Sequence, residues 1–67
     1  MHLLPIKKSD LIKGEVYLDC DSILKVKQDC GYQLFQCSAS DAIRAKVLFS
    51  QLASVRYVEI IPIEYFK

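Results

Sequence analysis

Apolar and polar side chains alternate along residues 15–20 and again along 23–28. Val16, Leu18 and Cys20 fall opposite Glu15, Tyr17 and Asp19, and then Leu24 and Val26 fall opposite Lys25 and Lys27. A period of two marks a half-buried strand, and the polar pair Asp21-Ser22 between the runs predicts a hairpin. Asp29-Cys30-Gly31 supplies the next turn, with Gly31 for a positive φ, and residues 32–37 read as the third strand of a meander. Ahead of these, residues 3–7 predict a weak strand that Pro5 confines to an edge. Leu11-Ile12, bracketed by Lys8-Ser9-Asp10 and Lys13-Gly14, predict a loop that tucks two apolar side chains under the body.

At Ser38 the period changes from two to about 3.6. Ser38 with Asp41 three residues on resembles a capping box with Asp in place of Glu, and Ser40 is the alternative N-cap. Residues 39–53 contain neither Gly nor Pro and are rich in Ala and Leu, which favours helix. At 100° per residue Ala42, Ala45, Phe49 and Leu52 share the face expected to lie on a sheet, Leu48 and Ala53 lie at its margins, and Arg44 and Gln51 lie opposite. Residues 55–61, β-branched and aromatic, read as the strongest strand. Pro62 then predicts that residues 63–67 are a tail packed on a rim.

These elements give the order β-β-β-β-α-β in one domain over residues 1–67. The fold class is α+β, a small antiparallel sheet of four to five strands with one helix packed on one face. A small SH3-like barrel is the alternative, and the long helix argues against it. Tyr17, Lys25 and Lys27 are expected on the sheet face that the helix leaves uncovered.

Composition narrows the function classes. The chain has 67 residues, 52% of them hydrophobic, with nine Lys and Arg against eight Asp and Glu and a formal net charge of +1. Such a balance lacks the basic excess of a protein that tracks phosphates and equally lacks the acidic excess of a DNA mimic. No apolar run approaches the roughly 18 residues needed to span a bilayer, and the start of the chain makes a poor secretory signal. A cytoplasmic protein without membrane contact is expected, with Cys20, Cys30 and Cys37 as reduced thiols. Their spacing does not fit a zinc site, and His2 is the one imidazole in the sequence. No metal or cofactor is therefore expected. Asp19, Asp21 and Asp29 read as turn formers, and the phosphate-binding, zinc-protease and nucleophile-elbow motifs are all absent. A sheet with one helix leaves little volume for converging catalytic groups, so the chain is not expected to be an enzyme.

What remains is a binding function. The leading expectation is a small intracellular protein-interaction module with a larger protein as partner. Its concrete form would be a phage or mobile-element accessory protein that inhibits host machinery, of the anti-CRISPR or another anti-defence type. The candidate contact residues are Ile43, Lys46 and Val47 on the helix flank and Tyr57, Ile63, Tyr65 and Phe66 in the C-terminal apolar stretch, where apolar spots with polar rims are expected. Two alternatives stand beside it. One is weak nucleic-acid binding by a sheet face carrying Tyr17, Lys25 and Lys27, joined by Tyr32 and Phe35 if these face the same way. The other is a homodimer or other homo-oligomer joined through the C-terminal strand.

Overall fold

The structure is a computed structural model that describes residues 2–12 and 20–66, without the side chains of Leu11, Ile12 and Phe66. In chain order the elements are β1 (Leu4–Ile6), α1 (Lys8–Ile12), β2 (Ser22–Gln28), β3 (Gly31–Cys37), α2 (Ala39–Ser50), β4 (Val55–Pro62) and a closing 3-10 helix (Ile63–Phe66). The four strands form one open antiparallel sheet in the spatial order β1, β3, β2, β4, with α2 packed against it. This is the expected α+β architecture; an open sheet rules out the barrel. β3 takes one edge of β2 and β4 the other, and the expected strand over residues 15–20, as the partner of 23–28 in a hairpin, falls almost wholly outside the described residues. Residues 13–19 lie outside the described residues, and residues 8–12, expected as loop, form the single turn of α1.

β2 and β3 are joined by the two residues Asp29 and Cys30, and their ladder closes at Gln28 opposite Gly31. Gly31 has φ +148°, a value that L side chains rarely adopt, so a glycine is needed there. Across the β2 and β4 ladder the register shifts between Lys27 and Gln28, a bulge at the same end of the sheet.

The sheet carries a core on each face. Beneath α2, Leu24, Val26, Cys37 and Val58 pack with Ala42 and Ala45, and the cluster is extended by Leu3, Phe35, Phe49, Val55 and Ile60. Phe35 and Phe49 stack across this layer with ring centroids 5.8 Å apart. The alternate residues of the same strands build the second core, where Ile23, Leu34 and Ile63 are buried with Ile6 and Ile61 against them. Residues 63–66 are therefore a 3-10 helix that inserts Ile63 into a core, rather than a tail on a rim. The Ile63 N–H donates to the Asp21 carbonyl at 3.0 Å and fixes this turn to the start of β2.

α2 begins as its sequence predicts. Ser38 is the N-cap, and its hydroxyl accepts from the Asp41 N–H at 3.2 Å. The reciprocal half of the box is rerouted: the Asp41 carboxylate accepts the backbone N–H of His2 at 3.1 Å, tying the segment before β1 to the helix start. That hydrogen bond holds the Asp41 carboxyl below its ordinary pKa, with Ser38 and Arg44 adding to the effect. The helix ends at Ser50 with Gln51 as C-cap, earlier than the expected residue 53. Leu52 falls beyond this cap and is half exposed, so the seat on the sheet is made by the two alanines and Phe49, not by Phe49 and Leu52.

Candidate functional site

Directly opposed residues of an antiparallel ladder project from the same face, so the registers place every side chain of the face turned away from α2. Tyr32, Lys27 and Tyr57 form one row across β3, β2 and β4; Leu34, Lys25 and Glu59 form the next; Gln36, Ile23 and Ile61 form the third. The third row belongs to the second core, whereas the first lies at the hairpin end and stays open, with Tyr32 46% and Tyr57 47% exposed. The Lys25 ammonium sits 4.9 Å from the Tyr32 ring centroid, a cation-π contact. Of the aromatic residues expected with the lysines, Tyr32 is on their face. Phe35 faces α2 instead and stacks on Phe49, and Tyr17 lies outside the described residues.

β1 pairs with β3 only from Leu34 to Gln36, so among the described residues no strand covers the outer edge of β3 beside Tyr32 and Gln33. A groove of about 470 Å³ opens there, lined among others by Tyr32, Lys7, Lys8 and Leu34. In the sequence Lys7-Lys8 is a basic pair remote from the strand lysines; the pairing of Ile6 with Leu34 brings it to the far side of Tyr32. No pattern within the N-terminal segment reveals this, because it depends on which strand β1 chooses. The ion pair of Asp29 and Arg56 closes the hairpin end by an exposed salt bridge between the β2–β3 turn and β4.

The other open surface is α2. Ile43 is 61% exposed, Val47 56%, Leu48 54% and Leu52 50%. Ile43 and Val47, four residues apart, form one flank of the helix; Leu48 stands on the other, and Leu52 follows just beyond the C-cap. Lys46, exposed, borders the first pair. Leu52, expected on the buried face, and Leu48, expected at its margin, both stand about half in water, because the helix stops at Ser50 and its seat is made by Ala42, Ala45 and Phe49.

The structure thus separates the candidate contact residues. Ile43, Lys46 and Val47 stay together on α2, Tyr57 is on the opposite sheet face, and Tyr65 projects from the 3-10 helix beside a shallow groove along Glu59, Ile60, Ile61 and Pro62 on the β4 edge. Ile63 is a core residue, so an Asp there would break the fold rather than report on a surface. The side chain of Phe66 lies outside the described residues.

None of the three cysteines is in a disulfide: Cys20 is half-buried, Cys30 exposed and Cys37 buried. Burial pushes the Cys37 thiol up to about 11, with neighbouring Cys20, Asp41 and Asp21 adding to the rise, so it is held as a neutral thiol. Among the described residues no three His, Cys, Asp or Glu side chains converge on a point, and no helix is long and apolar enough to cross a membrane. No family model, no curated protein and no solved structure matches the chain, so its function is argued from these surfaces.

Proposed function

We propose that the chain is a small protein-interaction module that lays the outward side of α2 on a larger protein. One observation carries this reading: α2 rests on Ala42, Ala45 and Phe49, while four large aliphatic side chains on it and just beyond its C-cap, Ile43, Val47, Leu48 and Leu52, stand at least half in water. Burying such a side chain from full exposure is worth roughly 1.5–3 kcal/mol, about half of which each still stands to gain. Exposed Lys46 and Arg44 supply the polar surround that marks a contact surface rather than an unfinished core. The concrete form we put forward is an accessory protein of a phage or mobile element that covers a working face of host machinery. Size and near-neutral charge support covering a face over imitating DNA.

The test is a pair of double variants, Ile43→Asp with Val47→Asp and Leu48→Asp with Leu52→Asp, set against Lys27→Ala on the opposite sheet face. Affinity capture from a host lysate identifies a stoichiometric partner for the parent chain, and titration with the purified partner then gives the affinity. At least one double variant should lose tenfold or more in affinity while its thermal unfolding stays near that of the parent. Folded variants that all bind the purified partner like the parent would remove α2 as the contact surface.

A further inference from the structure

We propose that the sheet face turned away from α2 is a second, independent site, one that binds single-stranded nucleic acid by stacking bases on Tyr32 and Tyr57 and holding phosphates with Lys7, Lys8, Lys25 and Lys27. Its basis is the convergence of two basic segments on one aromatic row. Lys27 stands between Tyr32 and Tyr57 in the first row of the face, and both rings are about half exposed. Neighbouring strands lie about 4.8 Å apart, so the two tyrosines are spaced by roughly twice that distance, far enough for each to take its own base. Lys25 approaches the Tyr32 ring from the β2 side, at 4.9 Å. The groove holding Lys7 and Lys8 flanks the same residue from the β1 side. Tyr32 thus stands between Lys25 and a groove lined by Lys7 and Lys8, an arrangement in which a sequence-tolerant stack and a backbone phosphate can be held together.

The near-zero net charge of the whole chain does not oppose this, because the charges are unevenly placed. Among the described residues no acidic side chain lines the groove beside Tyr32; the nearby Asp10 carboxylate is engaged by the Lys7 backbone N–H at 2.9 Å. Glu59 opposes Lys25 in the second row, and Asp29 at the hairpin end is engaged by Arg56. A single strand is favoured over a duplex because stacking on a flat sheet needs a base whose face is free. An acidic protein segment would use the lysines and not the rings.

The experiment is fluorescence anisotropy with a short labelled oligothymidylate, its oligouridylate counterpart and a duplex of the same length, using the full chain. The single strands should bind and the duplex should bind at least tenfold more weakly. With four phosphates neutralised, the slope of log affinity against log salt should be about −3, a loss of roughly fifty-fold between 50 and 200 mM salt. Tyr32→Leu and Tyr57→Leu, which keep an apolar side chain, should each weaken binding by about 5- to 100-fold. Lys7→Ser with Lys8→Ser should lower the slope by between one and two. Arg44→Ala and Lys46→Ala, on the helix, should leave binding unchanged. Failure of the folded parent to bind any single strand at low salt overturns the proposal. So does binding that survives both tyrosine substitutions, binding of duplex as tight as of single strand, or displacement by oligoglutamate as effective as by oligothymidylate. None of these results bears on the α2 variants, so the two surfaces stand or fall separately.

Discussion

Cys37 is a neutral, fully buried thiol pressed between the sheet and α2, and its environment makes stability depend on pH. Below pH 9 the thiol is protonated in both the folded and the unfolded chain. Between the ordinary value of 9.0 and the folded value of about 11, the unfolded thiol ionises while the folded one does not. The unfolded state therefore gains, and folding weakens as pH rises through this window, by up to about 3 kcal/mol. Cys37→Ala removes that contribution: urea titrations should show its deficit relative to the parent shrinking from pH 9 to pH 11, and a constant deficit would contradict the assigned burial. Gln36 carries the opposite kind of cost. It is wholly buried on the other face, and neither its amide nitrogen nor its oxygen has a hydrogen-bond partner. An unsatisfied buried amide costs about 1–3 kcal/mol, so Gln36→Met, similar in volume and without the amide, should raise the midpoint of thermal unfolding. A fall would mean that the amide is satisfied in solution.

The element that decides the packing is α2, and its weakness as an amphipathic helix is informative. Ala42 and Ala45 bring the backbone close to β2 and β4, and Phe49 adds the stack on Phe35. Ala45→Leu should therefore destabilise by about 1–3 kcal/mol, since the inserted side chain lifts the helix from the sheet. Phe49→Ala should cost about 3 kcal/mol, the low end for a large aromatic because the ring is part exposed. Leu52→Ala should be nearly neutral in the same chemical denaturation series; a loss equal to that of Phe49→Ala would place Leu52 in the core after all. The start of this helix was legible in the sequence, because Ser38 and Asp41 are local signals that act within one turn. Its buried stripe was legible only in part. A period of 3.6 assigns Leu52 to the stripe if the helix runs past it, and the C-cap at Gln51, with no Gly or Pro to announce it, stops the helix first.

Strand order sets the properties of the whole molecule, and no local pattern encodes it. Alternation assigned Lys25 and Lys27 to one face and Leu24 and Val26 to the other. It held no information that β1 would pair with β3, some 30 residues away, or that β4 would take the edge of β2 that a hairpin with residues 15–20 would have filled. The groove with Lys7, Lys8 and Tyr32 was hidden for the same reason, since it exists only once β1 has chosen its neighbour. Among the described residues the same order leaves β4, eight residues long, at an edge of the sheet. An open apolar edge recruits other strands unless something in it resists. Here Arg56 and Glu59 place charges along the strand, Pro62 withholds a donor at its end, and the register shift beside Gln28 distorts the pairing on its inner side. These features argue for a chain that stays monomeric, in place of one joined through its C-terminal strand. Replacing the guards, Arg56→Thr with Glu59→Val, gives up an exposed salt bridge to Asp29 and the Glu59 charge opposite Lys25, interactions of small worth to the fold. The double variant should remain folded by circular dichroism yet sediment with a mass that rises with concentration, while the parent sediments as a monomer across the micromolar range. A parent that itself forms a stable dimer, lost on substitution of β4, would show that the charges on this strand join two copies rather than hold them apart.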